Sequence, residues 1–322
     1  MTEPLFLAPY FQPKIWGGRK LQTIFGYQIP KGKIGEAWAI SAHPHGPSKI
    51  KNGPLAGKEL NEAYLNETDY FGNPTQKVFP LLTKILDAED SLSVQVHPDN
   101  DYAQEHEDEL GKTECWYVIE ADPESYIIYG HHAKNREELK KMVKDGHWDQ
   151  LLRKYPVKTG DFIYVPSGTI HALNKGIMVL ETQQSSDTTY RLYDYDRVDE
   201  STGQKRDLHL NQSIDVTRVP NIDPVLDMKI ENRGSSTFTT YIIPPTSPFF
   251  SVWQWQINDV QELKHKYAPY TLASVIDGRG ILNVEGKDYE IKKSDHFIIP
   301  AQVYSWKISG NLKIIASEPS NQ

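Results

Sequence analysis

The sequence contains one cysteine, no long apolar run and no excess of basic residues. Cys115 alone cannot form an intramolecular disulfide, which is typical of proteins of a reducing cytosol. No stretch approaches the roughly 20 apolar residues that span a bilayer, and the first residues lack the basic and then apolar pattern of a secretion signal. We therefore expect a soluble, cytoplasmic protein that does not contact membranes.

The charge balance of the chain is acidic. Its 35 Lys and Arg against 43 Asp and Glu give a formal net charge of −8, which disfavours a general attraction to nucleic acid. An anionic substrate would therefore need a local cluster of basic side chains that works against the overall field.

The 322 residues are rich in aromatic side chains, with 18 Tyr, 10 Phe and 7 Trp, as suits a mainly β protein. The length predicts two domains, and the polar stretches 219–224 and 231–236 divide the chain into residues 1–232 and 233–322. Helical spacing of apolar residues predicts helices in 58–71 and, as a small insert, in 135–155. We expect the acidic segment 99–110 to be a loop.

The C-terminal domain repeats part of the first one. Its short, evenly spaced strands indicate an antiparallel barrel or jelly roll. The segment 294–300 (SDHFIIP) matches 160–166 (GDFIYVP), so that Ser305 corresponds to His171 and Thr271 falls opposite Glu114. Since the second copy lacks the candidate ligands, we predict that the chemistry lies in the first.

The segment 91–99 (SLSVQVHPD) alternates apolar and polar residues, so Ser93, Gln95 and His97 face one side of a strand. A buried row of polar groups needs partners, and Gln95 and His97 project in parallel, as two metal ligands would. The alternative is an edge strand with one wet face.

Three further charged residues interrupt apolar or alternating strands. Lys84 lies within the apolar run 78–86, where it either snorkels to water or points into a cavity. Lys112 and Glu114 share one strand face, and Glu36 lies inside the alternating segment 35–41. Glu36 is a candidate site carboxylate, although such a residue is more often exposed to solvent.

The segment 160–174 (GDFIYVPSGTIHALN) resembles the second conserved motif of the cupin superfamily, with Asn174 one residue early. Gln95-x-His97 replaces the HxH of the first cupin motif, and together with Lys112-x-Glu114 it resembles the type I mannose-6-phosphate isomerase family. The resemblance extends over most of the chain. It implies two cupin-type jelly-roll β-barrels in tandem, the first with a small helical insert.

This resemblance implies a ligand set of Gln95, His97, Glu114 and His171 for one zinc ion per chain. It also implies that the chain interconverts mannose 6-phosphate and fructose 6-phosphate through an enediol or enediolate. The family's active-site arginine corresponds to Arg191, four residues after Asp187.

We assign candidate roles to the remaining polar residues. Arg191, Lys112, Lys84 and Asp187 are the catalytic candidates, and Ser93, Arg191, Lys112 and Glu36 are the candidates for substrate binding. The base could be Asp187, a metal-bound water or a lysine of depressed pKa.

Structural alternatives stand beside three of these assignments. Lys112 could simply pair with the acidic loop, and Asp187 with Arg191. We expect His131 and His132 to be surface residues.

Two other functions are compatible with a cupin. A metal-dependent dioxygenase would use iron or copper on a similar scaffold, and a sugar-binding or regulatory protein would need no catalysis. The Gln ligand and the basic residues oppose the first, and the intact ligand set opposes the second. We expect a phosphorylated hexose as the partner, no nucleic acid, and a monomer or homodimer.

Overall fold

The computed structural model describes residues 2–199 and 202–320, and strands dominate it, so the prediction of a mainly β protein is confirmed. The strands of the first part of the chain are β1 (Leu5–Ala8), β2 (Tyr10–Gly18), β3 (Ile34–Ile40), β4 (Lys49–Ile50), β5 (Leu81–Ala88), β6 (Val94–Val96), β7 (Glu114–Ala121), β8 (Tyr126–His131), β9 (Leu152–Pro156), β10 (Phe162–Val165), β11 (His171–Leu173), β12 (Ile177–Gln184), β13 (Tyr190–Tyr193), β14 (Val198–Asp199) and β15 (Gln204–Lys205). The later strands are β16 (Lys229–Arg233), β17 (Ser236–Ile242), β18 (Phe250–Ile257), β19 (Gln261–Leu263), β20 (Thr271–Val284), β21 (Lys287–Lys292), β22 (His296–Ile299) and β23 (Trp306–Pro319).

The helices are short and lie outside the sheets. They are α1 (Lys20–Thr23), α2 (Leu60–Asn66), α3 (Asn100–His106), α4 (Arg136–Lys144), α5 (Trp148–Leu151) and α6 (Leu210–Val216), with 3-10 turns at Gly53–Leu55 and Thr68–Phe71. Within residues 2–199 and 202–320, no helix has the length and apolar character needed to cross a membrane.

Two sheets form what we call the first unit. A six-stranded sheet has the order β10-β7-β12-β5-β2-β3, and a five-stranded sheet has the order β13-β6-β11-β8-β9. Both contribute to one apolar core, which contains Leu86, Trp116 and Val179 from the larger sheet and Ile127 and Leu173 from the smaller. The side chains that face this core alternate with residues that face outward, as strand geometry requires.

A ten-stranded sheet forms what we call the second unit. Its main order is β16-β17-β18-β23-β20-β22-β1-β4, and it has a separate core that includes Trp253, Trp255 and Phe297. Strand β1 belongs to this sheet, where Leu5 pairs with Ile298, although it comes from the N-terminus. The polar run 231–236 lies in the hairpin of β16 and β17.

A further core joins the units. It contains Leu81, Tyr117 and Leu180 from the outer face of the six-stranded sheet, together with Leu272 and Ile298 of the second unit. The six-stranded sheet is therefore covered on both faces.

The strand registers agree with the repeat read from the sequence. Glu114 lies opposite Val165, and Thr271 lies opposite Ile299, at matching positions of 160–166 and 294–300. The order β22-β20-β23-β18-β17-β16 also matches β10-β7-β12-β5-β2-β3. The sheets of the described residues are open and none closes into a barrel, so the expected closed barrels are not seen.

The predicted helices are only partly correct. The segment 58–71 contains α2 and a 3-10 turn as expected, and α4 and α5 occupy most of 135–155. Leu152–Pro156 is instead strand β9, because it pairs with the edge of β8. The expected loop 99–110 contains α3, whose first turn is capped by the Asp99 carboxylate accepting from the backbone N–H of Tyr102.

Candidate metal centre and active site

Residues from both sheets of the first unit meet at one end of its core. His171 lies directly opposite Gln95 in the pairing of β11 with β6, and Glu114 begins β7 of the other sheet. One potential ligand atom from each of His97, Glu114 and His171 lies within 4.8 Å of the others, and all three residues are buried. The structure thus brings together three of the four predicted ligands as a group that could hold a metal ion.

Hydrogen bonds to the backbone orient the two histidines. Nδ1 of His97 lies 3.0 Å from the carbonyl oxygen of Thr188, and Nδ1 of His171 lies 2.8 Å from that of Thr169. A carbonyl can only accept, so each Nδ1 carries the proton and each Nε2 keeps a lone pair. This is the arrangement that holds histidines for metal binding.

Each lone pair lies beside the Glu114 carboxylate, and that of His171 also lies near the Gln95 amide nitrogen. Nε2 of His97 lies 3.4 Å from Glu114 Oε2, and Nε2 of His171 lies 3.3 Å from Glu114 Oε1. Among the described residues, both Glu114 oxygens and His97 Nε2 are buried without a hydrogen bond. Buried acceptors that face one another are costly, and a cation between them would satisfy all of them.

The donor set fits a divalent metal. Imidazole nitrogens and a carboxylate oxygen are common ligands of zinc and related ions. The amide nitrogen of Gln95 lies 3.4 Å from His171 Nε2, and a half-turn of this amide would present its oxygen there as a further candidate ligand. The geometry gives no preference among divalent metals.

Lys112 supplies a fixed positive charge beside the carboxylate. Its Nζ lies 3.4 Å from Glu114 Oε2, so Lys112 pairs with the site and not with the acidic segment 99–110. Burial lowers the pKa of Lys112, but Glu114, Glu181 and other acidic neighbours outweigh it and raise the pKa to about 12. Burial raises the pKa of Glu114, but the Lys112 cation outweighs burial and holds this pKa well below the usual range.

A cavity of ≈ 290 Å³ opens beside this cluster. It is lined by seven of the predicted residues: Glu36, Lys84, Ser93, Gln95, Lys112, Asp187 and Arg191. Lys84 is buried and lines the cavity, so it does not snorkel to water, and the alternative prediction is confirmed. Glu36 is buried rather than exposed to solvent.

Lys84 lies at the centre of a row of side chains across the six-stranded sheet. The strand register places Trp38 on one side of it and Glu181 on the other. Its Nζ lies 3.8 Å from Glu36 Oε2, 3.7 Å from Glu181 Oε1 and 4.8 Å from the centre of the Trp38 ring. The lysine is thus held by two carboxylates and an aromatic face.

Close backbone packing brings Glu36 to this position. A Cβ on Gly17 would lie 2.3 Å from the backbone nitrogen of Gly35, so glycine is required where β2 passes β3. Lys14, a residue that sequence reasoning missed, then reaches Glu36 Oε1 at 3.3 Å. Burial raises the pKa of Glu36, but Lys14, Lys84 and a Trp38 hydrogen bond lower it to about 2.

Glu181 is the second lining residue that sequence reasoning missed. Its Oε2 accepts a hydrogen bond of 2.9 Å from Trp116 Nε1, while Oε1 is buried without a hydrogen bond among the described residues. Burial and the neighbouring Glu114 raise the pKa of Glu181. The available signal was its place directly after the apolar run 177–180, where a lone buried carboxylate needs an explanation.

Arg191 and Asp187 line the cavity without pairing with each other. Arg191 lies beside Gln95 in the pairing of β13 with β6, and its Nη1 donates to the carbonyl oxygen of Asp207 at 2.7 Å. Asp187 Oδ2 lies 3.0 Å from Nδ1 of His45. No ion pair joins Asp187 to Arg191 within the described chain, so the structural pairing is not observed. Arg206 is a further lining residue that sequence reasoning missed.

The prediction for His131 is wrong, whereas that for His132 is correct. His131 ends β8 and is buried, because the chain near Arg218 covers it and its Nε2 lies 3.0 Å from the Arg218 carbonyl oxygen. His132, the next residue, is exposed.

Comparisons with known proteins identify the relatives of this chain. The catalytic domain of type I phosphomannose isomerase matches residues 5–136, and the cupin domain of mannose-6-phosphate isomerase matches residues 239–319. The mannose-6-phosphate isomerase of Streptococcus mutans is 55% identical over 317 residues, which cover 98% of each chain.

Solved structures point the same way. The mannose 6-phosphate isomerase of Bacillus subtilis has a TM-score of 0.94 at 47% identity, and the match covers 98% of this chain and 100% of that chain. A putative mannosephosphate isomerase from Archaeoglobus fulgidus has a TM-score of 0.72 at 19% identity over 100% of both chains, and therefore shares the fold.

Fold and site together define an isomerase of the cupin class that acts on a sugar phosphate. The chain belongs to the type I mannose-6-phosphate isomerase family and is an enzyme of that activity.

Proposed function

We propose that the enzyme binds one zinc ion through Gln95, His97, Glu114 and His171, and isomerises mannose 6-phosphate to fructose 6-phosphate through an enediol or enediolate. The observation that carries this proposal is the convergence of buried acceptor atoms on one point beside a cavity lined by cations. The activity of the family indicates the substrate, and the donor set indicates the metal.

The reaction moves a proton between C1 and C2 of the sugar and develops negative charge on the adjacent oxygens. A zinc ion, when bound, supplies a Lewis acid at these oxygens. Lys84, Lys112 and Arg191 place permanent positive charges around the same cavity, where they stabilise developing negative charge and bind the phosphate. A guanidinium such as that of Arg191 suits a bidentate contact with phosphate.

Ser93 and Glu36 are the proposed hydrogen-bonding partners of the sugar hydroxyls. Both residues are buried and line the cavity. The low pKa of Glu36 keeps it a carboxylate, which can accept hydrogen bonds, while the Ser93 hydroxyl can donate or accept.

Two carboxylates are candidates for the proton-transfer base. Glu181 faces the cavity with an Oε1 that makes no hydrogen bond among the described residues, and its pKa is raised, which brings it closer to the range that general bases need. Asp187, the base suggested by the sequence, lines the same cavity but contacts the exposed His45. We favour Glu181 for proton transfer and place Asp187 beside the substrate.

The matching strand orders and registers support an assignment of two tandem cupin-type jelly rolls. Residues 1–232 then form the catalytic domain, and residues 233–322 form a degenerate copy without ligands. Strand β1 belongs to the first domain by sequence but pairs with β22 in the sheet of the second unit. We place the enzyme in the cytoplasm, as a monomer or homodimer.

Family membership opposes the dioxygenase and the non-catalytic binder. One coupled assay of purified enzyme on mannose 6-phosphate tests the proposal, with metal-stripped protein and with zinc added back. We expect activity to fall on stripping and to return with zinc, and His171→Ala to lose both zinc and turnover. Full activity in the stripped enzyme, or in His171→Ala, would contradict the ligand assignment.

A further inference from the structure

The segment Ser186–Thr188 connects β12 to β13 and carries the carbonyl that orients His97. The Thr188 oxygen lies 3.0 Å from His97 Nδ1. The segment has no regular secondary structure, and Asp187, Thr188 and Thr189 are partly exposed. The position of this carbonyl therefore depends on side-chain contacts that hold the segment.

A single carboxylate makes most of those contacts. Glu109 Oε2 accepts hydrogen bonds from the Ser186 hydroxyl at 2.9 Å, the Asp187 backbone N–H at 3.2 Å and the Thr188 hydroxyl at 2.8 Å. Ser186 Oγ in turn accepts from the backbone N–H of Thr188 at 3.2 Å. Three successive residues thus donate hydrogen bonds to one oxygen atom.

The other oxygen of Glu109 is held by a buried histidine. Nδ1 of His43 accepts from the backbone N–H of His45 at 3.2 Å, so its Nε2 carries a proton and donates to Glu109 Oε1 at 3.3 Å. This donor, with those from Ser186, Asp187 and Thr188, requires the ionised form of Glu109. The His43 hydrogen bond is the largest influence on Glu109 and helps to lower its pKa to about 2.

We propose that Glu109 is a positioning residue for the metal centre: it fixes the segment Ser186–Thr188, and the Thr188 carbonyl then fixes the orientation of His97. The proposal rests on the metal-binding role proposed above. Glu109 is neither a predicted ligand nor a lining residue of the cavity, although it contacts the lining residue Asp187, so its effect on the centre is indirect. The outer partners of a metal site typically contribute 10-fold to 100-fold in metal affinity or activity.

Two variants of Glu109 and one matched control test this role. Glu109→Ala removes all the acceptors, whereas Glu109→Gln keeps one oxygen but places an NH2 group among donors. Glu105→Gln makes the same change at an exposed residue of α3, close in sequence. The zinc dissociation constant is measured by competition with a coloured chelator, and hydrogen exchange of the His97 ring N–H is measured by NMR on metal-free protein.

We expect Glu109→Ala to raise the zinc dissociation constant roughly tenfold and to speed exchange of the His97 ring proton. Glu109→Gln should give a smaller change and Glu105→Gln none. A merely structural role would lower the melting temperature of the metal-free protein but leave zinc affinity and ring exchange unchanged, and that result would overturn the proposal. If wild-type enzyme binds no zinc, the zinc assignment fails, while ring exchange still decides whether Glu109 orients His97.

Discussion

In the six-stranded sheet of the first unit, the row of paired residues beside the cavity contains two charged side chains. The equivalent row in the sheet of the second unit contains none. In the first unit the row consists of Lys84, Glu181, Trp116 and Ile163. At the matching positions the second unit has Trp253, Ala316, Ala273 and Phe297. The same strand order therefore accommodates one large aromatic side chain and two alanines in place of Lys84, Glu181 and Trp116.

The difference indicates that the charged row is retained for chemistry and not for stability. Moving two charges out of water costs free energy that their attraction does not fully restore, so a packed apolar row is often the more stable choice. The second unit has such an apolar row. The first unit keeps a buried lysine and two buried carboxylates beside the cavity, where a substrate with phosphate and hydroxyl groups can use them.

The largest effect is expected when the first unit is given the residue of the second at the metal centre. Glu114→Thr installs the residue found at the matching position 271, and it removes a proposed carboxylate ligand while leaving Lys112 without the carboxylate that it contacts. We expect loss of zinc and a fall in kcat/KM of more than about 100-fold, beyond the upper effect of outer partners. Metal analysis and the coupled assay measure both.

The control for this change is Thr271→Val in the second unit. It keeps the size of the side chain but removes a hydroxyl that contacts Glu318 and His265. Zinc content and activity should stay at wild-type levels. If Thr271→Val lost zinc, the assignment of the centre to the first unit would be wrong.

A smaller effect is expected from neutralising the charged row itself. Lys84→Met leaves Glu181 without its cation and Glu36 with Lys14 alone, and it should lower the free energy of unfolding by about 3 kcal/mol. Combining it with Glu181→Gln removes one of the stranded charges, so the double variant should lose less than the sum of the single losses. Urea unfolding of the four proteins in saturating zinc gives the coupling energy. If the losses were additive, the coupling free energy would be zero and Lys84 and Glu181 would not stabilise each other.

The smallest effect is a pH dependence that arises from Glu36. Since its folded pKa is about 2 and the ordinary value is 4.5, the folded state favours the carboxylate. The stability that this provides is present above about pH 4.5 and is lost as the pH falls towards 2. The difference in unfolding free energy between wild type and Glu36→Gln should be about 2–3 kcal/mol at pH 7 and roughly half of that or less at pH 3.

Glu262→Gln provides the comparison for the second unit, because Glu262 is exposed. Its unfolding free energy should stay close to that of wild type at both pH values. A difference for Glu36→Gln that does not vary with pH would mean that lost packing, and not lost charge, causes it.

Sequence reasoning succeeded where the signal was local. Alternation placed Gln95 and His97 on one strand face, and the repeat correctly predicted that Thr271 takes the place of Glu114. Glu181 and Lys14 were missed because their importance depends on neighbours supplied by other strands. The prediction that His131 is exposed was wrong for the same reason, since a distant segment covers this residue. The strand at Leu152–Pro156 was missed because it forms only by pairing with the edge of β8.

Strand β1 links completion of the fold to the synthesis of a strand far along the chain. Leu5–Ala8 leaves the ribosome well before its partner β22. Until β22 arrives, the core shared by the units, with Leu81, Tyr117 and Leu180, lacks Ile298, and one edge of β1 is unpaired. Such exposed apolar surface and unpaired edges favour aggregation. A chain that stops before β22 would therefore be prone to aggregate, although it already contains every residue of the proposed metal centre.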